Sequence, residues 1–383
     1  MEARIPPIYL DYNATTPTDP AVVEELIPYL GKEFGNPSSG HPYGQKAREA
    51  VELARTRIGA LLGCDPAQVI FTGGGTESNN LALIGAAFAN RDRGRHIIST
   101  TIEHPAVLNP LHWLEEQGFT VTLLPVDGSG RVDPEAVRRA VTAGTILISV
   151  MHANNEVGTV QPLVEIGGIA HAKGIIFHTD AAQSVGKIPA RVDELGVDLL
   201  TVAGHKLYAP KGIGALFIRR GIKINPYLHG AGQERGLRPG TENVPYIAAL
   251  GKAAELAAQR LPADGARILS LRERFHTKLR EQVDGVELNG HPTERLPNTL
   301  NVSFRGIVGA DLLAHTPEIA ASVGSACHEG SGELSGVLKA MGISPEQGFG
   351  AVRLSIGRLT TIEEVDRVAD VLSAKIRQLR TRK

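Results

Sequence analysis

Cysteine, tryptophan and methionine are scarce in this chain. Its 383 residues include two cysteines, one tryptophan and three methionines, and aromatic residues make up 4% of the sequence. Two cysteines cannot build a disulfide scaffold, so the composition gives no indication of an oxidising compartment. The 40 lysines and arginines nearly balance the 41 acidic residues, for a formal net charge of -1. The absence of a basic excess argues against a dedicated nucleic-acid-binding protein.

Long hydrophobic runs are also missing. No stretch approaches the roughly 20 apolar residues that a membrane-spanning helix requires, and the first residues lack the features of a signal peptide. We therefore expect a cytoplasmic protein. Hydrophobic residues nevertheless make up 42% of the chain and charged residues 21%. This length and composition predict a folded globular protein with two domains, or one large and one smaller domain.

Apolar, β-branched runs alternate with amphipathic segments between residues 69 and 218. The runs predict strands at residues 69–71, 96–100, 120–126, 145–151, 175–179, 199–203 and 213–218. The segments between them predict helices, including 77–89, 134–143 and 163–173. This alternation is typical of an α/β fold with a mostly parallel sheet and crossover helices.

The pattern changes after residue 245. It predicts two consecutive helices at 246–260 and 265–283, then short strands and helices ending in a helix at 362–380. The short strands are predicted at 286–288, 299–304 and 352–356. We therefore expect a large cofactor-binding α/β domain over residues 15–254 and a small α+β domain over residues 255–383. We place the N-terminal arm, residues 1–14, against the small domain.

Three consecutive glycines, residues 73–75, stand between a predicted strand and a predicted helix. Backbone N–H groups of glycines can approach an anion closely, and the helix N-terminus adds a favourable dipole. The string therefore fits a phosphate-binding turn. The alternative is a strand-to-helix turn with Thr76 as its N-cap. The string matches neither a Walker loop nor the dinucleotide-binding fingerprint.

Asp180 and Lys206 both lie where a predicted strand ends, which is where ligands bind in open α/β sheets. An aspartate there can hold a protonated ring nitrogen, or it can be the N-cap of the next helix. A lysine there can form a Schiff base with a carbonyl, or it can be an exposed loop residue. Together with a phosphate-binding turn, these are the parts that pyridoxal 5'-phosphate requires.

Ordered motifs extend the pattern over most of the chain. They are Tyr9-Leu10-Asp11-Tyr12-Asn13-Ala14-Thr15-Thr16-Pro17, Gly35-Asn36-Pro37-Ser38-Ser39, Thr76-Glu77-Ser78-Asn79-Asn80, Glu103-His104, Asn154-Asn155-Glu156, Gln233-Glu234-Arg235, Arg238-Pro239-Gly240-Thr241, Gly324-Ser325-Ala326-Cys327 and Val352-Arg353-Leu354-Ser355. With them, the sequence resembles the aminotransferase class V family of pyridoxal-phosphate enzymes, and within it the NifS/IscS-like cysteine desulfurases and selenocysteine lyase. The resemblance implies the aspartate aminotransferase-like fold (fold type I) and pyridoxal 5'-phosphate as cofactor.

The resemblance implies roles around the cofactor ring. Lys206 would bind the cofactor aldehyde as a Schiff base. His104 would stack on the pyridine ring and help to move protons, and Asp180 would keep the pyridine nitrogen protonated. Gln183 and Asn155 would approach the ring oxygen and the substrate.

The resemblance also implies residues for the phosphate and the substrate. The phosphate would be held by Gly75, Thr76 and His205. Thr241 would reach in from the partner subunit of a homodimer. Position 203 is often a serine that contacts the phosphate, but this chain has Ala203. Arg353 would bind the substrate carboxylate, because its planar guanidinium suits bidentate pairing.

Cys327 lies in a segment of small residues that predicts a loop. A free cysteine is most often a buried small hydrophobe, but the neighbouring His328 and glycines argue against burial. As a thiolate, Cys327 could attack sulfur or selenium. The resemblance implies conversion of L-cysteine to L-alanine, with the sulfur carried as a Cys327 persulfide to an acceptor or iron–sulfur scaffold protein. We expect Cys64 to be structural.

Two alternatives to a desulfurase stay open at this point. Selenocysteine lyase shares the framework, and the Cys327-His328 pair resembles it, whereas Pro105 after His104 resembles the NifS-like desulfurases. The other alternative is a non-catalytic scaffold of the same fold, which the intact site residues disfavour. We predict a desulfurase. The 13 histidines show no metal-binding spacing, so we expect no metal.

Overall fold

The computed structural model of the protein describes residues 6–324 and 334–381. The strands are β1 (Ile8–Tyr9), β2 (Val69–Thr72), β3 (His96–Thr100), β4 (Thr120–Leu124), β5 (Thr145–Ser149), β6 (Ile176–Asp180), β7 (Leu199–Ala203), β8 (Gly214–Ile218), β9 (Val286–Asn289), β10 (Thr299–Phe304), β11 (Ile319–Ala320) and β12 (Ala351–Ser355). The helices are α1 (Pro20–Gly31), α2 (Pro42–Leu62), α3 (Gly75–Asn90), α4 (Pro105–Glu116), α5 (Pro134–Ala140), α6 (Leu163–Ala172), α7 (Val192–Leu195), α8 (Val244–Gln282), α9 (Gly309–Ala314), α10 (Gly336–Ala340), α11 (Pro345–Phe349) and α12 (Ile362–Arg380). Each strand predicted from the sequence is present, with ends that differ by at most two residues.

A seven-stranded sheet forms the centre of the larger part, in the order β2-β8-β7-β6-β5-β3-β4. Strands β3 to β7 pair in parallel, and only β8 runs antiparallel to its two neighbours. Two apolar clusters cover the sheet, one with α2 and the first half of α8, the other with α3 and α4. Burial on both faces explains why the three central residues of β5, Ile146 to Ile148, are all apolar. This architecture confirms the predicted α/β fold class.

Several helices begin at a polar capping residue followed by proline. The Asp19 carboxylate accepts from the Ala21 N–H at 3.0 Å before α1, and His104 Nδ1 accepts from the Ala106 N–H at 3.0 Å before α4. Proline suits the first helical position because its missing N–H would have no partner within the helix there. The same local chemistry therefore starts α4 and sets the position of His104, four residues after the end of β3.

Helix α8 differs from the prediction. The sequence predicts two helices around Pro262, but the structure has one helix of 39 residues. Proline removes one helical hydrogen bond and crowds the carbonyl four residues earlier, which here belongs to Ala258. Both residues are exposed, so water can bind that carbonyl. Apolar residues before and after the proline pack into two different cores, and this packing outweighs the local cost of the proline.

The C-terminal part is built on a three-stranded antiparallel sheet in the order β12-β10-β9. It shares an apolar core with the second half of α8 and with α12. The N-terminal arm also belongs to this region, because β1 pairs in parallel with β11 and Leu10 is buried in the same core. The division into a large and a small domain near residue 254 remains our proposal, and that boundary falls inside α8.

Among the described residues, no helix is long and apolar enough to cross a membrane. Over the same residues, no group of three or more His, Cys, Asp or Glu side chains could hold a metal ion.

Candidate active site

A cavity of about 270 Å³ opens at the edge of the sheet where the parallel strands end. Its walls include the predicted residues Gly75, Thr76, His104, Asn155, Asp180, Gln183, His205, Lys206 and Arg353. Thr241 is exposed and does not line this cavity, so its predicted role at a partner's site stays a prediction. Cys327 lies outside the described residues.

The parallel sheet brings most of these side chains together. Asp180 is the last residue of β6, Lys206 follows β7, and His104 follows β3. Parallel neighbours have their carboxyl ends at the same edge, so residues far apart in sequence meet there. Arg353 comes from β12 in the C-terminal sheet and closes the cavity from the other side.

The glycine turn has the shape of an anion cradle. Gly74, with a φ of 148°, is the N-cap of α3, so the alternative with Thr76 as N-cap is wrong. A Cβ on Gly75 would lie 3.2 Å from the Cβ of Ala203, closer than most Cβ contacts, so a larger residue here would have to displace β7 slightly. The N-terminus of α3 therefore faces the cavity without side-chain obstruction, as a bound phosphate requires.

Asp180 is a buried carboxylate that accepts hydrogen bonds from two neutral donors. Its Oδ2 accepts from Asn79 Nδ2 at 2.7 Å, and its Oδ1 accepts from the Ala182 N–H at 2.9 Å. The residues after Asp180 form a turn and not a helix, so the N-cap alternative for Asp180 is wrong. No Lys, Arg or His in the described parts of the chain forms an ion pair with it. A carboxylate in this setting is suited to a protonated ring nitrogen, which would supply the missing positive charge.

The amine of Lys206 is held by the N-terminal arm. Its Nζ donates to the carbonyl oxygens of Asn13 and Ala14, the latter at 2.7 Å. The neighbouring His205 is neutral, because burial, then the positive charges of Lys206 and other nearby groups, lower its pKa to about 4. The arm therefore fixes the position of the amine within the cavity.

His104 presents one defined ring nitrogen to the cavity. Because its Nδ1 accepts from the Ala106 N–H, a neutral His104 carries its proton on Nε2. The preceding Glu103 is buried, and burial raises its pKa to about 8. Glu103 Oε1 accepts from Thr100 Oγ1 at 2.7 Å and from the Met151 N–H at 3.0 Å. These bonds tie the segment that carries His104 to the end of β3 and to the residues that follow β5.

Arg353 has a guanidinium that is buried but only partly satisfied. Its Nη2 donates to Asp11 Oδ1 at 2.7 Å and its Nη1 to the Asn155 carbonyl at 3.1 Å. Its Nε is buried and has no hydrogen-bond partner in the described structure. The residue is 1% exposed, so any ligand that it binds must enter the cavity.

Sequence reasoning missed the residues that support this site. Asn79 orients Asp180, Asp11 pairs with Arg353, and Asn13 bonds to several cavity residues. Asn13 accepts from Lys206 through its carbonyl, and its Nδ2 donates to the Asn155 carbonyl at 3.1 Å. All three lie inside motifs noted in the sequence, but nothing in the motifs indicates which partner each residue bonds.

Comparison with known proteins identifies the family. The model of the aminotransferase class-V family matches residues 8–368. The chain belongs to this family. Pyridoxal 5'-phosphate is the cofactor of its cysteine desulfurase members, and the glycine turn, Asp180 and Lys206 fit that cofactor in charge and position. The resemblance stated from the sequence motifs is therefore confirmed.

Individual proteins that resemble this chain over nearly its whole length are named as cysteine desulfurase or NifS-like. A curated protein from Methanosarcina thermophila, named cysteine desulfurase IscS, is 50% identical over 375 residues, covering 97% of this chain and 93% of the relative. A solved structure of a NifS-like protein is 38% identical with a TM-score of 0.91, covering 97% and 100% of the two chains. A solved structure described as SspA in complex with cysteine is 38% identical with a TM-score of 0.82, covering 91% of this chain and 98% of that one.

Proposed function

We propose that this protein is a pyridoxal 5'-phosphate-dependent cysteine desulfurase. It converts L-cysteine to L-alanine and transfers the sulfur to its own Cys327. The observation that carries the proposal is the single cavity that holds the Lys206 amine, the Asp180 carboxylate and the Arg353 guanidinium. The names of the relatives favour a desulfurase over selenocysteine lyase. A non-catalytic scaffold is disfavoured by the same intact cavity.

The cavity residues divide the work between binding and proton transfer. Arg353 binds the substrate carboxylate, and this contact orients the α-carbon toward Lys206. When bound, pyridoxal 5'-phosphate draws electrons away from the substrate α-carbon. Lys206 Nζ, with His104 Nε2 as the other candidate, takes the α-proton. Asp180 stabilises positive charge at the inner end of the cavity.

Cys327 takes the sulfur. Its thiolate attacks Sγ of the substrate, an S–S bond forms, and the Cβ–Sγ bond breaks with its electron pair left on carbon. That carbon takes up a proton, and the α-carbon takes back the proton held by Lys206 or His104, which completes alanine. The product on the enzyme is a cysteine persulfide.

Assembly and onward transfer belong to the proposal as well. We propose a homodimer in which Thr241 completes the phosphate site of the partner subunit. A sulfur-acceptor or iron–sulfur scaffold protein would receive the persulfide sulfur. The cytoplasmic location expected from the sequence stays a prediction.

Steady-state kinetics on L-cysteine and L-selenocysteine, measured side by side, test the function. We expect alanine formation from L-cysteine together with a persulfide on the enzyme. Alanine from L-selenocysteine alone would instead identify a lyase. A protein that binds no pyridoxal 5'-phosphate and forms no alanine from either substrate would be a scaffold.

A further inference from the structure

A second lysine amine lies directly behind the active-site cavity. Lys187 Nζ donates to Gln183 Oε1 at 2.8 Å and to Asn13 Oδ1 at 3.3 Å. Gln183 and Asn13 line the cavity, whereas Lys187 does not. The lysine therefore contacts the wall of the site from outside, through two amide side chains.

The environment of Lys187 does not resemble that of a salt-bridge lysine. Across residues 6–324 and 334–381, no carboxylate lies within ion-pair distance of its amine. Burial lowers the pKa of Lys187 well below the usual lysine value, and the positive charges of Lys206 and Arg353 lower it further. An amine that has lost one proton keeps two, which is enough for both observed bonds. Lys187 is therefore a hydrogen-bond donor that does not need a counter-ion.

Contacts with the Asn13 carbonyl and with the Lys187 amine together set which way the Gln183 amide faces. An amide side chain has one end that accepts and one that donates, and the two ends are nearly the same shape. The Asn13 carbonyl can only accept, so the amide nitrogen faces it, and the amide oxygen faces the Lys187 amine, which donates. The amide nitrogen then donates one N–H to the Asn13 carbonyl at 2.9 Å. Its second N–H has no partner in the described residues and lies on a cavity wall.

We propose that Lys187 is a positioning residue, which holds Gln183 as a hydrogen-bond donor toward an oxygen of the ligand bound in the cavity. The inference rests on the proposed function, because it assigns a ligand with an accepting oxygen to this wall. Without Lys187, the amide oxygen loses its donor, and only the Asn13 carbonyl still opposes a turn that would present that oxygen to the ligand oxygen. Two acceptors would then face each other, and a contact that binds the ligand would become repulsive. Lys187 thus acts through Gln183 and does not touch the ligand itself.

A double-mutant cycle on the holoenzyme tests this inference. The variants are Lys187→Met, Gln183→Met and the double variant, with Lys278→Met as a control. Lys278 on α8 also donates a hydrogen bond to another element, the Asp366 carbonyl of α12, at 3.0 Å. It does not line the cavity. The measurements are the absorption maximum of bound pyridoxal 5'-phosphate, its dissociation constant, and kcat/KM for L-cysteine. Thermal unfolding checks that each variant is folded.

We expect Lys187→Met to shift the absorption maximum and to lower kcat/KM about tenfold, as for loss of one buried hydrogen bond. In the Gln183→Met background the same substitution should have no further effect, because the amide through which Lys187 acts is already absent. Lys187→Arg keeps a donor and should preserve the wild-type spectrum. Equal effects in both backgrounds, or an unchanged spectrum in Lys187→Met, would overturn the inference. A wild-type protein that binds the cofactor but forms no alanine from L-cysteine would overturn the proposed function instead, and the spectra would still decide the role of Lys187.

Discussion

Arg353 and Asp11 form an ion pair at the wall of the cavity, with 2.7 Å between Nη2 and Oδ1. The two residues are 342 positions apart and meet because the N-terminal arm lies beside β12. A buried guanidinium without a counter-charge is strongly unfavourable, so Asp11 supplies the counter-charge and holds Arg353 in place before a substrate arrives. The buried Nε without a partner leaves one donor for an incoming carboxylate.

Arg353→Ala should therefore weaken substrate binding more than it slows turnover. Loss of hydrogen bonds to a charged group costs about 1.5–3 kcal/mol, which corresponds to a rise in KM for L-cysteine of roughly ten- to a hundredfold. Initial-rate kinetics would measure the change. Arg274→Ala is the matched control, because Arg274 also pairs with a carboxylate, Asp366, but on the exposed surface. An unchanged KM in Arg353→Ala would assign the carboxylate contact to another residue.

Lys206→Ala should remove both turnover and the visible absorption of lysine-bound cofactor. The cavity contains no second lysine among its described lining residues that could replace this amine. Lys211 is exposed and lies three residues before β8, so Lys211→Ala should retain the absorption band. Absorption spectra of the purified variants would be compared. A normal band in Lys206→Ala would show that another lysine, such as Lys187 or Lys211, holds the cofactor.

Cys327→Ser should reduce alanine formation from L-cysteine by orders of magnitude while the bound cofactor keeps its colour. Cys64→Ser is the control. Burial, then the nearby carboxylate of Asp65, raises the pKa of Cys64 to about 11. At pH 8 only roughly one Cys64 in a thousand is then a thiolate, so it is a poor nucleophile.

Iodoacetamide labelling provides a second measurement for the same pair. At pH 8, mass spectrometry should find the label on Cys327 and little on Cys64. Undiminished alanine formation in Cys327→Ser would contradict the persulfide mechanism.

His178 should make the protein less stable in mild acid. Burial lowers its pKa to about 3, and it bonds to hydroxyl groups of Ser149 at 2.9 Å and Thr201 at 3.2 Å. An unfolded histidine titrates near pH 6.5. Between about pH 6.5 and pH 3, the unfolded chain therefore binds a proton that folded His178 does not. Stability then falls as the pH decreases, by up to about 1.4 kcal/mol per pH unit for this residue.

Urea unfolding of the wild type and His178→Gln between pH 4.5 and pH 7 would measure this dependence. The free energy of unfolding should fall less steeply in the variant. Glu103 also titrates abnormally, with a raised pKa that removes stability as the pH rises toward 8, but it is common to both proteins. His229→Gln, at an exposed position, should leave the slope unchanged. Parallel curves for wild type and His178→Gln would contradict the prediction.

Much of the fold was predictable because its signals are local. The strand at residues 199–203 is apolar except for Thr201 and is followed by Gly204-His205-Lys206, so both the strand and the lysine after it follow from the sequence. In the same way, the glycines before α3 indicated a close backbone approach. The continuity of α8 was not predictable, because Pro262 is a strong local signal that only packing against two cores can override.

The residues that complete the site depend on contacts between distant parts of the chain. The sequence by itself determined which side chains end each parallel strand, since strand period and burial are local properties. Only the tertiary structure decided that Asn13 would hold the Lys206 amine and that Lys187 would orient Gln183. The physical reason is that a hydrogen bond is set by the position and direction of both partners. When 193 positions separate them, as for Asn13 and Lys206, the packing of the sheet and the arm determines that geometry.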